Sequence, residues 1–174
     1  MSAETFTTAM FLITAVIAAG VLINAVFPVV YNMAGTFSSS THASDERLRT
    51  DFKMVAYYTN GDSYGHIYMK NIGSARITLS DIKKSDVLWG TEGDYGRLAY
   101  SSAASPGYGE WTTEFASSGE VIYDLNGNEY WDSGETLHIT TRSPSAKPFY
   151  SGDIMYFQFV LPGGTWRSVT FTAR

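Results

Sequence analysis

The chain has 174 residues with 12 Lys plus Arg against 17 Asp plus Glu, a net charge of -5, so it lacks the basic footprint that a nucleic-acid partner requires. It contains no cysteine, which excludes a disulfide framework, a thiolate metal site and a cysteine nucleophile together. Twelve Tyr, ten Phe, four Trp and sixteen Gly describe an aromatic, turn-rich β protein.

The chain opens with Met1-Ser2-Ala3-Glu4 and then runs from Phe6 to Tyr31 without a charged residue. At 1.5 Å per helical residue this crosses the roughly 30 Å of a bilayer core. A cleavable signal peptide places basic residues before a shorter apolar core; here an acid stands first, so a retained span is expected. No Lys or Arg precedes Arg47, which leaves the positive-inside rule nothing to count. Glu4, at the edge of the apolar helix, is expected either to pair with a neighbouring subunit's terminal amine and set register, or to sit exposed at the membrane face. Ala15, Ala18, Ala19 and Gly20 offer small residues for close helix packing. Pro28 is a candidate kink. Phe37-Ser38-Ser39-Ser40-Thr41 suits an exposed helix or a linker.

From Asp51 the signals change to strands. Phe52, Met54 and Ala56 alternate with polar neighbours, Asn60-Gly61-Asp62 marks a turn, and His66–Lys70 is the expected hairpin partner. Further strands are expected at Arg76–Leu79, Asp86–Trp89, Glu120–Tyr123 and Leu137–Thr141. The last hairpin is the clearest, with Ile154–Val160 and Trp166–Phe171 flanking Pro162-Gly163-Gly164-Thr165. Gly90 to Ser118, rich in Gly, Ser, Ala and Tyr, reads as a long loop. The expected fold class is therefore α+β: one long N-terminal hydrophobic α-helix with its extension over 1–50, then an all-β immunoglobulin-like sandwich over 51–174.

One segment has metal-coordination spacing. Counted from Asp124, oxygen-bearing side chains fall at the first (Asp124), third (Asn126), fifth (Asn128), ninth (Asp132) and twelfth (Glu135) positions, with the Tyr130 carbonyl at the seventh. This is the spacing of a calcium loop, except that Glu129 stands where such a loop wants Gly. A structural Ca2+ is expected there; the plain alternative is an Asn-Gly turn with solvated acids. Enzymatic signals are weak. His42, His66 and His138 are dispersed, with His66 and His138 expected as satisfied or surface-facing imidazoles, and no phosphate-cradling loop or Gly-x-Ser-x-Gly elbow occurs.

An N-terminal acid, an unbroken hydrophobic helix and a β-sandwich together resemble the archaellin and type IV pilin superfamily. Phe11–Asn24 is similar to its archaeal members. Met69-Lys70-Asn71-Ile72-Gly73, Ile77 and Ser85-Asp86-Val87-Leu88-Trp89-Gly90 resemble the FlaF/FlaG family of the archaellum. The resemblance implies a structural, non-enzymatic component of archaeal motility. It would be a stator-type protein anchored in the cytoplasmic membrane, self-associating through its helices, with its sandwich in the pseudoperiplasm, a FlaF-like partner and the S-layer protein as contacts. With no basic leader ahead of the helix, membrane retention is expected over leader processing. Two other readings stay open: a filament subunit polymerising through the same helix, and a calcium-dependent extracellular binding module.

Overall fold

The structure is a computed structural model and describes residues 2–59, 63–114, 124, 127–144 and 149–174. The chain divides into two units, Met1–Asp45 and Glu46–Arg174. Composition alone places that division after residue 50.

The first unit is helix throughout. Helix α1 covers Ser2–Arg49, 48 residues, or about 72 Å of axis. It continues across Pro28, whose missing N–H removes one i→i−4 bond, and through Phe37–Thr41, which settles that stretch as helix. Its hydroxyl side chains turn back on the backbone: Thr7, Thr8 and Thr14 donate to the carbonyls of Ala3, Glu4 and Met10 at 2.8 Å, and Thr41 donates to that of Phe37 at 2.8 Å. Polar groups so satisfied cost little in an apolar medium.

The last turn of α1, from Glu46, belongs to the second unit. Strands β1 (Phe52–Thr59), β2 (Tyr64–Asn71), β4 (Asp86–Thr91), β5 (Asp94–Tyr100), β6 (Glu110–Glu114), β8 (Thr136–Arg142), β9 (Ile154–Val160) and β10 (Trp166–Thr172) form one sheet in the order β1-β2-β8-β6-β5-β4-β9-β10. It folds over on itself at β5, which pairs antiparallel with β4 and ends in a short parallel pairing with β6. Two layers face each other as a sandwich, β1-β2-β8-β6 against β4-β9-β10. A second, two-stranded sheet joins β3 (Ile77–Thr78) to β7 (Tyr130–Trp131).

Period-2 alternation sets the inner faces, as in β2, where Ile67 and Met69 are buried between half-exposed neighbours. Aromatic rings then fill the gap without disulfides. Phe52 meets Phe159 edge-on at 5.5 Å and Trp131 at 5.8 Å, Trp111 meets Phe159 at 6.3 Å, and Trp89 lies against Phe149 at 5.6 Å.

Two expectations are corrected. Gly90–Ser118 is not a continuous loop, because β5 and β6 lie within it. Leu98 and Trp111 are both buried there, and sparse apolar residues among Gly and Ser hid the alternation. Arg76–Leu79 yields only the two-residue β3, after which a short helix, α2 (Leu79–Lys83), begins. The Thr78 side chain accepts the N–H of Asp81 at 3.0 Å and donates to its carboxylate at 2.7 Å; this is a capping arrangement. The expected turn at Asn60-Gly61-Asp62 and strand at Glu120–Tyr123 lie outside the described residues.

A polar latch ties the turn after β2 to the start of the second unit. Buried Asn71 donates to the carbonyls of Ala75 (3.0 Å) and Trp131 (2.8 Å) and accepts the N–H of Gly73 at 2.9 Å. The N–H groups of Ser74 and Ala75 reach the Arg49 carbonyl, and those of Ile72 and Gly73 reach that of Asp51. A Cβ on Gly73 would strike the backbone of Arg49 and Asp51. Asn71→Ala, which removes the side-chain donor from the Ala75 and Trp131 carbonyls, should cost about 1–3 kcal/mol. Gly73→Ala should cost at least as much through forced backbone displacement. Urea melts check both, and parent-like midpoints would contradict the latch.

Candidate functional site

The largest candidate surface is the helix. Phe6, Phe11, Leu12, Ile13, Val16 and Ile17 are each at least 61% exposed, and α1 is long and apolar enough to cross a membrane. Glu4 lies in its first turn. Ala15, Ala18 and Ala19 share one side of the helix by their i, i+3, i+4 spacing. Gly20 does not: at 100° per residue it lies about 160° round from Ala18. The four residues therefore do not make one small-residue stripe, although each is exposed.

The acidic loop is held together by its own backbone. The Asp124 carboxylate accepts the N–H groups of Gly127 (2.8 Å), Asn128 (3.3 Å) and Glu129 (2.9 Å). The Asn128 amide donates to Asp132 Oδ2 at 2.8 Å, and its carbonyl oxygen accepts Tyr130 N–H at 2.9 Å. The Asp132 N–H donates to Glu135 Oε2 at 2.8 Å, and buried Trp131 donates its indole N–H to the Glu135 carbonyl at 2.9 Å. Asp124 and Glu135 are thereby buried, at 9% and 3% exposure, without an unmet cost. Among the described residues no three acidic or histidine side chains form a group suited to a metal ion. Asn126, the third expected ligand, lies outside the described residues.

Glu129, at the sixth position, adopts φ 61°, and Gly127 adopts φ 68°. The chain thus makes the left-handed turn for which glycine is usual, with a side chain that disfavours it.

Reading the sequence missed a ladder on the outer face of β1, β2 and β8. Dispersed in sequence, His66 and His138 meet in space, with Nδ1 and Nε2 3.2 Å apart. Tyr58 stacks on His66 at 4.9 Å and Tyr68 on His138 at 4.4 Å. Burial raises the Tyr58 phenol above its ordinary 10.0, and a hydrogen bond to Tyr68 and repulsion from it add to the rise. The antiparallel register, in which Tyr68 faces His138 and His66 faces Thr140, makes the meeting inevitable, but only strand pairing reveals it.

The loop geometry sets two expectations in opposite directions. With calcium chelated, Asp124→Ala strands three N–H groups and should lower stability by about 1–3 kcal/mol. Glu129→Gly removes a left-handed non-glycine residue and should raise it by about 1 kcal/mol. Chemical denaturation measures both; a destabilised Glu129→Gly variant would contradict a left-handed backbone at that position.

Comparisons with known proteins agree with the fold. The family model for archaeal-type flagellin matches residues 3–171. An uncharacterized protein of Archaeoglobus fulgidus is 24% identical over 167 residues, covering 94% of each chain. Among solved structures, the archaellum periplasmic stator protein FlaG from Sulfolobus acidocaldarius has a TM-score of 0.52 at 21% identity, over 70% of this chain and 99% of that one. The stator protein complex of FlaF and FlaG from the same organism gives the same score and identity over 69% and 87%. The archaeal flagellum of Methanospirillum hungatei strain JF1 has a TM-score of 0.54 at 18% identity, over 92% of this chain and 90% of that one. With the family match running nearly end to end, over residues 3–171 of 174, the chain belongs to the archaeal-type flagellin family.

Proposed function

We propose that this protein is a membrane-anchored structural component of the archaellum, of stator type, that carries force by static contact rather than by catalysis. The observation that carries the proposal is α1: an exposed apolar surface, free of charge between Glu4 and Asp45, followed by a compact sandwich that needs no disulfide. In this reading α1 sits in the cytoplasmic membrane or among sister helices, and the sandwich stands outside the cell. A FlaF-like partner and the S-layer protein are the proposed contacts of the sandwich. The likeness to FlaG, alone and in complex with FlaF, supports the stator reading.

A specific observation favours a second reading, that of a filament subunit. The likeness to the Methanospirillum flagellum covers 92% of the chain, more than the sandwich unit alone, so it takes in much of α1. Deletion of the gene separates the two. A stator component leaves filaments on the cell and abolishes swimming; a filament subunit takes the filaments with it. Normal swimming with intact filaments would contradict both.

Calcium in the loop 124–135 is a separate proposal, supported by the ligand spacing and by the left-handed turn at Glu129. Extracellular calcium loops bind at about 10⁻⁴ to 10⁻³ M, so 10 mM calcium should stabilise the parent by roughly 1.4–2.7 kcal/mol over a chelated sample. The shift should vanish in a variant carrying both Asp124→Ala and Glu135→Ala. Identical melts of the parent with and without calcium would end the calcium reading.

A further inference from the structure

Arg142, the last residue of β8, is held in an unusual way. Its guanidinium carbon lies 3.7 Å from the Tyr108 ring centroid and 4.8 Å from that of Tyr64, a cation between two aromatic faces. The side chain is half-buried, and its Nε is buried without a hydrogen-bond partner. Arg76, Arg97 and Arg167 differ, being paired with Asp132, Asp86 and Asp51. Arg142 has no such carboxylate among the described residues.

The backbone builds this clamp. Tyr64 faces Arg142 in the β2–β8 register, and the Ser143 N–H donates to the Ser63 carbonyl at 2.9 Å. Tyr108 is half-exposed and is set by Gly109, whose φ is +76°. The Gly109 N–H donates to the Ser143 carbonyl at 3.1 Å, and its own carbonyl accepts the N–H of Ala99 at 2.9 Å. A guanidinium immobilised by two rings, with donors left over, is preorganised for a carboxylate.

The chain also carries a complementary feature. Glu92 and Asp94 flank Gly93 at the exposed tip of the β4–β5 hairpin, and among the described residues neither carboxylate has a hydrogen-bond or ion-pair partner. No ion pair joins them to Arg142 within the chain among the described residues, which leaves both partners available to another copy. We propose that the Tyr64–Arg142–Tyr108 clamp receives the Glu92/Asp94 hairpin tip of a second copy. Two different patches joined this way make a heterologous contact, which propagates from copy to copy instead of closing as a two-fold dimer. The inference rests on the self-association in the proposed function and adds to it a contact between sandwiches that fixes the relation of neighbours.

Charge exchange in the full chain tests it, with sedimentation in non-ionic detergent measuring association at low salt. Arg142→Glu alone, and Glu92→Arg with Asp94→Arg, should each weaken association by about tenfold or more; combining all three should restore it to within about threefold of the parent. Raising the salt should weaken the parent but not an Arg142→Ala variant. The hairpin pair is exposed and outside the core, so its effect stands even if Arg142→Glu folds poorly. If the parent assembles but the exchanges change nothing, or the combination fails to rescue, the clamp contact is overturned and helix-driven assembly stands. A parent that stays monomeric at all concentrations overturns both.

Discussion

The constraint on which the rest depends is the surface of α1. Fully burying a Val, Leu, Ile or Phe side chain is worth about 1.5–3 kcal/mol, and α1 leaves a long succession of them exposed, from Phe6 to Phe37. Such a surface demands either lipid or other helices. The side chains along it suit both, because threonine hydroxyls are satisfied by carbonyls one turn back and no charge interrupts the run. Lipid and helix neighbours differ little in apolarity, so moving from one to the other costs the helix little, and packing detail decides.

The second unit solves the opposite problem, that of cohering without cysteines. Its four tryptophans illustrate the division of labour. Trp89, Trp111 and Trp131 are fully buried and bring rings from both layers together, while Trp166 is exposed on the edge strand β10. Two of the interior polar side chains are each tied by three hydrogen bonds. Asn71 spends its side chain on the turn after β2 and on the Trp131 carbonyl of β7, and Asp124 spends its own on the acidic loop. The segment Met69–Gly73, which carried part of the family resemblance, therefore has a physical reason: Asn71 alone fits its three bonds, and Gly73 approaches backbone too closely for a side chain.

The helix and the outer hairpins were legible because one periodicity dominated each. Twenty-six uncharged residues from Phe6 to Tyr31 admit few readings, and Ile154–Val160 is a near-continuous apolar run of strand length bounded by the Pro162-Gly163-Gly164 turn. Strands β5 and β6 were not legible, since Tyr, Gly and Ser dilute a pattern carried by Leu98 and Trp111. Helix α2 was signalled by Thr78 and Asp81 at capping spacing but was overshadowed by the β-branched pair before it. Of the candidate site, the spacing of the acidic loop was plain in sequence, whereas the direction of its hydrogen bonds was not. The His66–His138 and Arg142–Tyr108 contacts depend on register and loop closure over long separations, which no local pattern encodes.

In the proposed structural role the helix lies in an apolar layer of lipid or sister helices, and the sandwich carries the contacts. The absence of cysteine permits a direct test, because any introduced cysteine is unique. Single cysteines placed at intervals from position 6 to position 41 in the full chain, expressed in cells and probed with a membrane-impermeant maleimide, should be protected up to about Tyr31 and reactive from outside beyond Gly35. Uniform labelling along the helix would contradict an apolar environment for α1, and with it the central claim.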